Sequence, residues 1–375
     1  MSLRRLTLLL PAGVALVLGI DAGLGLMGLP SAAVSERLPA VHGFLLVLGF
    51  VGTLIALERA VALRRPVGFV SPALFGAGGL LLVSPVPLRV GQALLVAGAA
   101  AMTAVYVALW RRQHDDAVLI QALGAVLAAG GALLWLGGLP VPSTLPWLAG
   151  FVILTIAGER LELARLQMTR SGGAGWLLAA SAAVVASAAA ALLWPAAGYP
   201  LLGLAVLALV AWLAVHDVAR RTVHATGLPR FIALCLLAGY AWLAAAALVW
   251  LLGGAVLDGP AYDAAVHAVF LGFTLSMIMA HAPVILPAVL RVRLPYRPAM
   301  YAPAVLLHVS LLLRTAVGDT RGVEGARQIG GALSAVAVLL LLGVLVWSAT
   351  RPAAAGGLRA RAGSGRSPHV LEAAR

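Results

Sequence analysis

The chain has 375 residues, 62% apolar and only 10% charged, and its 26 basic side chains are all Arg, against 13 acids. Soluble domains carry roughly 25% charged and about 45–50% apolar residues, so this composition excludes a water-soluble globular protein. It also excludes a disordered one, because disordered chains are polar and charge-rich. A net charge of +13 on a soluble face would suit nucleic acid. In so apolar a chain it reports membrane orientation instead, and no nucleic-acid partner is expected.

A membrane-spanning helix takes about 20 apolar residues. Hydropathy and breakers predict helices over 6–28, 41–63, 67–85, 91–110, 117–138, 144–167, 175–194, 198–216, 228–252, 262–288, 299–317 and 325–349. The breaks include Arg64-Arg65-Pro66, Arg111-Arg112-Gln113, Ser171-Gly172-Gly173 and Pro195-Ala196-Ala197. The first segment follows Arg4 and Arg5, as a signal peptide would. It contains Asp21, however, and its removal would leave an odd number of spans, so it is read as a helix. The expected fold is therefore all-α, with twelve transmembrane helices in a single membrane domain over 1–350. A disordered basic tail is expected over 351–375. Cys235 is the only cysteine, so no disulfide framework and no Cys-ligated metal site is expected.

Arg placement tests the topology. With the N-terminus inside, 19 Arg fall in cytoplasmic segments and four outside (Arg37, Arg89, Arg321, Arg327); the rest are Arg59, Arg160 and Arg314. This bias predicts both termini in the cytoplasm of a bacterial inner membrane. Trp110, Trp135, Trp147, Trp194, Tyr199 and Tyr262 lie near helix ends, as interfacial aromatic residues do.

An internal repeat runs through the chain. Gly49-Phe50 precedes Glu58-Arg59, Gly150-Phe151 precedes Glu159-Arg160, and Gly272-Phe273 precedes His281, with the Gly nine residues before the Glu or His each time. The pattern falls on the second, sixth and tenth helices. It divides the chain into three pseudo-equivalent four-helix units, about 1–114, 115–225 and 226–350.

Ionisable groups within a membrane are costly and mark candidate sites. Four histidines lie within spans: His42, His267, His281 and His308. His42 and His267 sit near the outer ends of equivalent helices, and two imidazoles at one depth can hold a metal macrocycle between them. The bland alternative is a hydrogen bond from each to a neighbouring helix. His281 is 14 residues beyond His267, roughly 21 Å along a helix at about 1.5 Å per residue, so it belongs to a different level. Glu58 and Glu159 share that level, beside Arg59 and Arg160, forming a polar or proton-conducting cluster or else neutralising one another across helices. Arg314 and Arg321 lie toward the outer side, where guanidinium suits carboxylates. Asp319 and Glu324 are the alternative partners for Arg314. Asp21, Gln92 and Gln121 are isolated and read as interhelical hydrogen-bonders.

Twelve spans in three arcs, with His on the second and tenth helices, resemble the haem-copper oxidase subunit I superfamily. Within it, His267-Ala-Val-Phe-Leu-Gly-Phe-Thr-Leu-Ser-Met-Ile-Met-Ala-His281 is most similar to the NnrS family, membrane proteins with haem and copper linked to nitric oxide metabolism and nitrosative stress. The resemblance implies a b-type haem held by His42 and His267, with Arg314 or Arg321 on its propionates. Position 269 is Val where oxidases have a further His, and the sixth and seventh helices lack the His that hold copper there. A binuclear oxygen-reducing centre is therefore not expected, and copper would need His281 and His308. The implied partners are membrane lipid, an electron donor or respiratory partner protein, and nitric oxide or another small diatomic. Two rivals remain: a haem-free proton-coupled transporter using Glu58, Glu159 and His281, and a non-catalytic assembly or sensor subunit of a respiratory complex.

Overall fold

The computed structural model describes residues 3–32, 34–163 and 173–351. The predicted break at Ser171-Gly172 and the basic tail lie outside them. The described residues form helices and no strand. The helices are α1 (Leu3–Leu26), α2 (Leu38–Leu63), α3 (Pro66–Leu82), α4 (Leu88–Gln113), α5 (Asp116–Leu136), α6 (Val141–Leu163), α7 (Gly173–Leu193), α8 (Pro195–His216), α9 (Leu228–Gly253), α10 (Gly259–Leu290), α11 (Pro298–Asp319) and α12 (Glu324–Thr350). An all-helical solution follows from the composition, because a helix satisfies its backbone groups within one segment where water is absent.

Among the described residues, eleven of these helices are long and apolar enough to cross a membrane; α3 is the shorter apolar one. The expected third span, 67–85, thus ends early. Pro85 and Pro87 cannot continue a helix, and the chain turns after Leu82. Several other helices begin up to three residues before the hydropathy suggests. Proline stands in the first turn of α2, α8, α9, α10 and α11, where its missing N–H would have had no partner anyway.

Helices adjacent in sequence pack against one another, and α1 also meets α12. Small residues permit close approach. A Cβ on Gly79 of α3 would lie 3.1 Å from the Cα of Gly49 on α2. The interior belongs to three helices: in their most apolar windows α2, α6 and α10 are 67%, 78% and 67% buried, while the other eight long helices range from 28% to 56%. Those three carry the Gly-Phe pattern. Large apolar side chains on the others, Leu252 and Val346 among them, face outward, as in a protein solvated by lipid.

Two of the three inner helices share a distortion. In α2 the segment Leu45–Gly52 is π-helical, and in α10 so is Ala268–Leu275. Each is eight residues long, with Gly-Phe at its fifth and sixth positions. The hydroxyl just beyond each segment bonds back to the glycine carbonyl: Thr53 Oγ1 donates to Gly49 O at 2.7 Å, and Ser276 Oγ to Gly272 O at 2.5 Å. A π-turn shifts the backbone register, and these hydroxyls give the glycine carbonyls a side-chain donor. Such turns often occur at functional sites. A third lies at Leu313–Asp319 in α11.

Candidate functional site

Polar side chains gather at two levels of the α2–α6–α10 interior. At the first, His42 stands in the first turns of α2 and its Nδ1 is 2.9 Å from Pro39 O. His267 of α10 places Nδ1 2.7 Å from Asp263 O and 3.3 Å from Asp263 Oδ1. A carbonyl oxygen only accepts, so each Nδ1 donates and each Nε2 presents a lone pair. The two rings are close enough for their charges to act on one another, and the Arg314 guanidinium acts on both.

Arg314 is buried at the start of the α11 π-segment. It grips Asp263 with two bonds, Nε to Oδ2 at 2.8 Å and Nη2 to Oδ1 at 2.7 Å. Its remaining Nη1 meets Met27 Sδ at 3.5 Å. The acid partnering Arg314 is therefore on α10, not Glu324 at the start of α12, which pairs with Arg327 instead. Asp319 is buried, and neither of its carboxylate oxygens has a hydrogen-bond partner among the described residues. Arg321 is exposed in the turn between α11 and α12. Phe44 stacks on Trp135 nearby, with ring centroids 4.1 Å apart.

The second level lies 16 residues further along α2 and 14 along α10, about 21–24 Å at a helical rise of about 1.5 Å. Arg59 is buried there and binds three groups: Glu58, Glu162 Oε2 at 3.2 Å, and Gln121 Oε1 at 3.0 Å. Gln121, expected to be isolated, also donates to Glu162 at 3.3 Å. Among the described residues no basic side chain is bonded to Glu159, which is buried on α6. Glu58, Glu159 and His281 all line one cavity of about 300 Å³, walled by apolar residues of α1, α2, α6, α10 and α12. His281 donates from Nδ1 to Met277 O at 2.7 Å, and its buried Nε2 has no partner.

Arg160 points elsewhere. It pairs with Asp217, beyond the end of α8, which also accepts from Tyr240 Oη at 2.7 Å and Ala219 N at 2.9 Å. Burial alone would push the Asp217 carboxyl upward, but these hydrogen bonds and the Arg160 charge hold it below the usual carboxylate range. The four bonds fully occupy a carboxylate that is itself out of contact with solvent.

The other polar residues are absorbed locally. His308 Nδ1 accepts from Trp242 Nε1 at 3.1 Å, so His308 and His281 have separate partners. Asp21 accepts from the loop amide of Ala32 at 2.7 Å, not from another helix, whereas Gln92 does reach a neighbouring helix, at Trp135 O. Among the described residues no group of three or more His, Cys, Asp or Glu side chains could hold a metal ion. Asp263, Glu162, Asp217 and Tyr240 escape the sequence reading. Asp217 resembles a loop residue and Asp263 a first-turn acid, and only long-range pairing marks either.

A family model described as a domain of unknown function, DUF8744, matches residues 5–350. No curated protein and no solved structure matches the chain.

Proposed function

Because the chain belongs to the DUF8744 family, whose description names no activity, we propose its function from its own side chains. We read it as a haem-binding, multi-pass membrane protein similar to the NnrS family, serving nitric oxide handling or respiratory electron transfer. The observation that carries this reading is the His42–His267 pair: two imidazoles on two inner helices, in mutual electrostatic reach, each with Nδ1 committed to a backbone carbonyl. That arrangement suits metal ligation, because a ligating histidine characteristically donates its other nitrogen to a carbonyl or carboxylate, which fixes the ring and its tautomer.

The residues present fit a b-type haem. His42 and His267 would hold it through Nε2. Asp263 orients His267 by accepting at its backbone and carboxylate oxygens, and Arg314 fixes Asp263. When bound, the haem would supply an iron that changes oxidation state. Since Arg314 is engaged by Asp263, the exposed Arg321 is the freer guanidinium for a propionate. Copper at His281 and His308 is not part of this proposal.

The same reading takes α3 as a short twelfth span and groups the helices as three four-helix units with both ends cytoplasmic in a bacterial inner membrane. At 17 residues, α3 reaches the lower limit for a spanning helix, about 17–25 residues.

The test is a reduced-minus-oxidised visible spectrum of protein purified after expression with added haem. The expected result is a Soret and an α band that disappear in His42→Ala and in His267→Ala. Absence of both bands from the wild-type protein overturns the proposal.

A further inference from the structure

A second cavity opens where α9 begins, at the opposite end of the bundle from His42 and His267. It measures about 280 Å³ and is lined by Thr226, Gly227, Arg230, Leu234, Tyr296 and Tyr301. Both α9 and α11 are long and apolar enough to cross a membrane, and the cavity lies between their first turns, at headgroup depth. Its lining is graded. Thr226 precedes α9 and Arg230 is in its first turn, while Leu234, about one turn further in, is an exposed apolar side chain.

The polar end of this cavity is basic, with no acid to neutralise it. Residues 226–234 and 291–301 carry Arg230, Arg291, Arg293 and Arg297 and no Asp or Glu. The carboxylates that pair with Arg in this chain go to Arg59, Arg160, Arg314 and Arg327. Among the described residues none reaches Arg230, which is exposed. Arg297 is committed elsewhere, to Arg351 O at 3.0 Å and to the Trp347 ring. The two phenols are fixed by packing: Phe231, buried beside Arg230, has its ring centroid 6.4 Å from that of Tyr296 and 5.2 Å from that of Tyr301. No side chain caps α9 at Gly227, so the positive end of the helix dipole adds to the field of Arg230.

A guanidinium ringed by hydroxyl donors matches an anion with several acceptor oxygens, and its planar fork suits phosphate in particular. Basic pockets between membrane helices take anionic headgroups on these grounds. The volume of about 280 Å³ falls just below the range of about 300–1,000 Å³ for small-molecule pockets. That is room for a headgroup and not for acyl chains, and the exposed Leu234 gives the chains a path into the bilayer. A zwitterionic headgroup would bring its own ammonium among these Arg side chains, whereas an anionic one brings none. We propose that this cavity binds the headgroup phosphate of an anionic phospholipid. Arg230 pairs with the phosphate, and the hydroxyls of Thr226, Tyr296 and Tyr301 donate to its remaining oxygens. No covalent bond changes, and the site stands apart from the haem reading.

Native mass spectrometry of the full chain in detergent tests this by counting lipid adducts. The probes are dioctanoyl phosphatidylglycerol, dioctanoyl phosphatidylcholine, and the former in the presence of inorganic phosphate. The first phosphatidylglycerol adduct is expected to form at least about tenfold more tightly than the phosphatidylcholine one, and inorganic phosphate is expected not to displace it. Arg230→Gln is expected to weaken that adduct by at least about tenfold. Arg230→Lys is expected to fall between, since it keeps the charge without the planar fork. Tyr296→Phe combined with Tyr301→Phe, a second variant should Arg230→Gln fail to fold, is expected to weaken it as well. Arg112→Gln removes an exposed Arg outside the cavity and is expected to leave binding unchanged. Equal binding of the two lipids, unchanged binding in a folded cavity variant, or an equal loss in Arg112→Gln overturns the proposal. Displacement of the lipid by inorganic phosphate overturns it too, by assigning the cavity to the free anion.

Discussion

Arg160 and Asp217 meet through two parallel hydrogen bonds, of 2.8 and 2.9 Å, across 57 residues of sequence. The pair ties α6 to the end of α8, and the Tyr240 hydroxyl adds α9. Two charges taken out of water are tolerated because every bond the carboxylate needs is supplied. Removing one partner leaves the other buried and unpaired, at a cost of about 3–5 kcal/mol. Asp217→Ala is therefore expected to lower the thermal unfolding midpoint in detergent substantially, and Tyr240→Phe to lower it far less. Tryptophan fluorescence during heating measures both.

The same carboxylate sets a pH dependence. Its folded value lies below the unfolded one, held there by Arg160, Ala219 and Tyr240. A depressed carboxylate stabilises the fold fully above the unfolded value, and that stabilisation is lost as pH falls toward the folded one. The unfolding midpoint of the wild type is expected to gain an acid-side decline beginning near about pH 4, the usual Asp range. Asp217→Asn is expected to start lower and lose that part of the decline. Parallel melts from pH 7 downward compare them.

Arg59 holds Glu58, Glu162 and Gln121 together from one guanidinium. Arg59→Met strands carboxylates in an apolar setting and is expected to destabilise by about 3–5 kcal/mol. Arg59→Lys keeps the charge but not the planar fork that reaches several acceptors, so an intermediate loss is expected. Denaturant-induced unfolding of the two variants side by side gives the order.

At Gly203 the backbone of α8 lies close against that of α9. A Cβ there would lie 2.5 Å from Ala247 O and 2.6 Å from Leu251 N, both backbone atoms. Gly203→Ala must push the helices apart and is expected to cost at least about 1–3 kcal/mol. Gly175, on α7, would place its Cβ in open space. Gly175→Ala is expected to be neutral or to stabilise by up to about 1 kcal/mol, from helix propensity alone. Thermal melts separate the two signs.

Asp263 is the joint between Arg314 and His267. On the haem reading, Asp263→Asn leaves both ligating imidazoles in place but weakens their support, and partners of this kind change metal affinity by roughly 10–100-fold. Haem retention after repeated washing with apomyoglobin is expected to fall accordingly, with the spectral bands of the remaining haem still present.

Hydropathy made the helices legible because each is satisfied within its own segment. Where it missed, proline was the reason: it reads as a break, yet it opens α8 and α11 and closes α3 early. The levels of His42 with His267, and of Glu58, Glu159 and His281, could be proposed from spacing. The π-segments could not, although both fall on Gly-Phe. Gly-Phe is compatible with ordinary α-helix, as in α6, so the distortion depends on neighbours.

Composition and hydropathy determined by themselves that this is an all-helical membrane protein and, to within a few residues, where its eleven long apolar helices run. Those are local properties, set by each segment's exchange between water and lipid. Which acid meets which base was decided only by the tertiary structure. Arg314 reaches across 51 residues to Asp263, and Arg160 across 57 to Asp217, while Glu58, Glu159 and His281 line one cavity and the His281 Nε2 has no partner among the described residues. Charge pairing in an apolar interior depends on angstrom-scale approach between helices, and no periodicity along one helix encodes the distance to another.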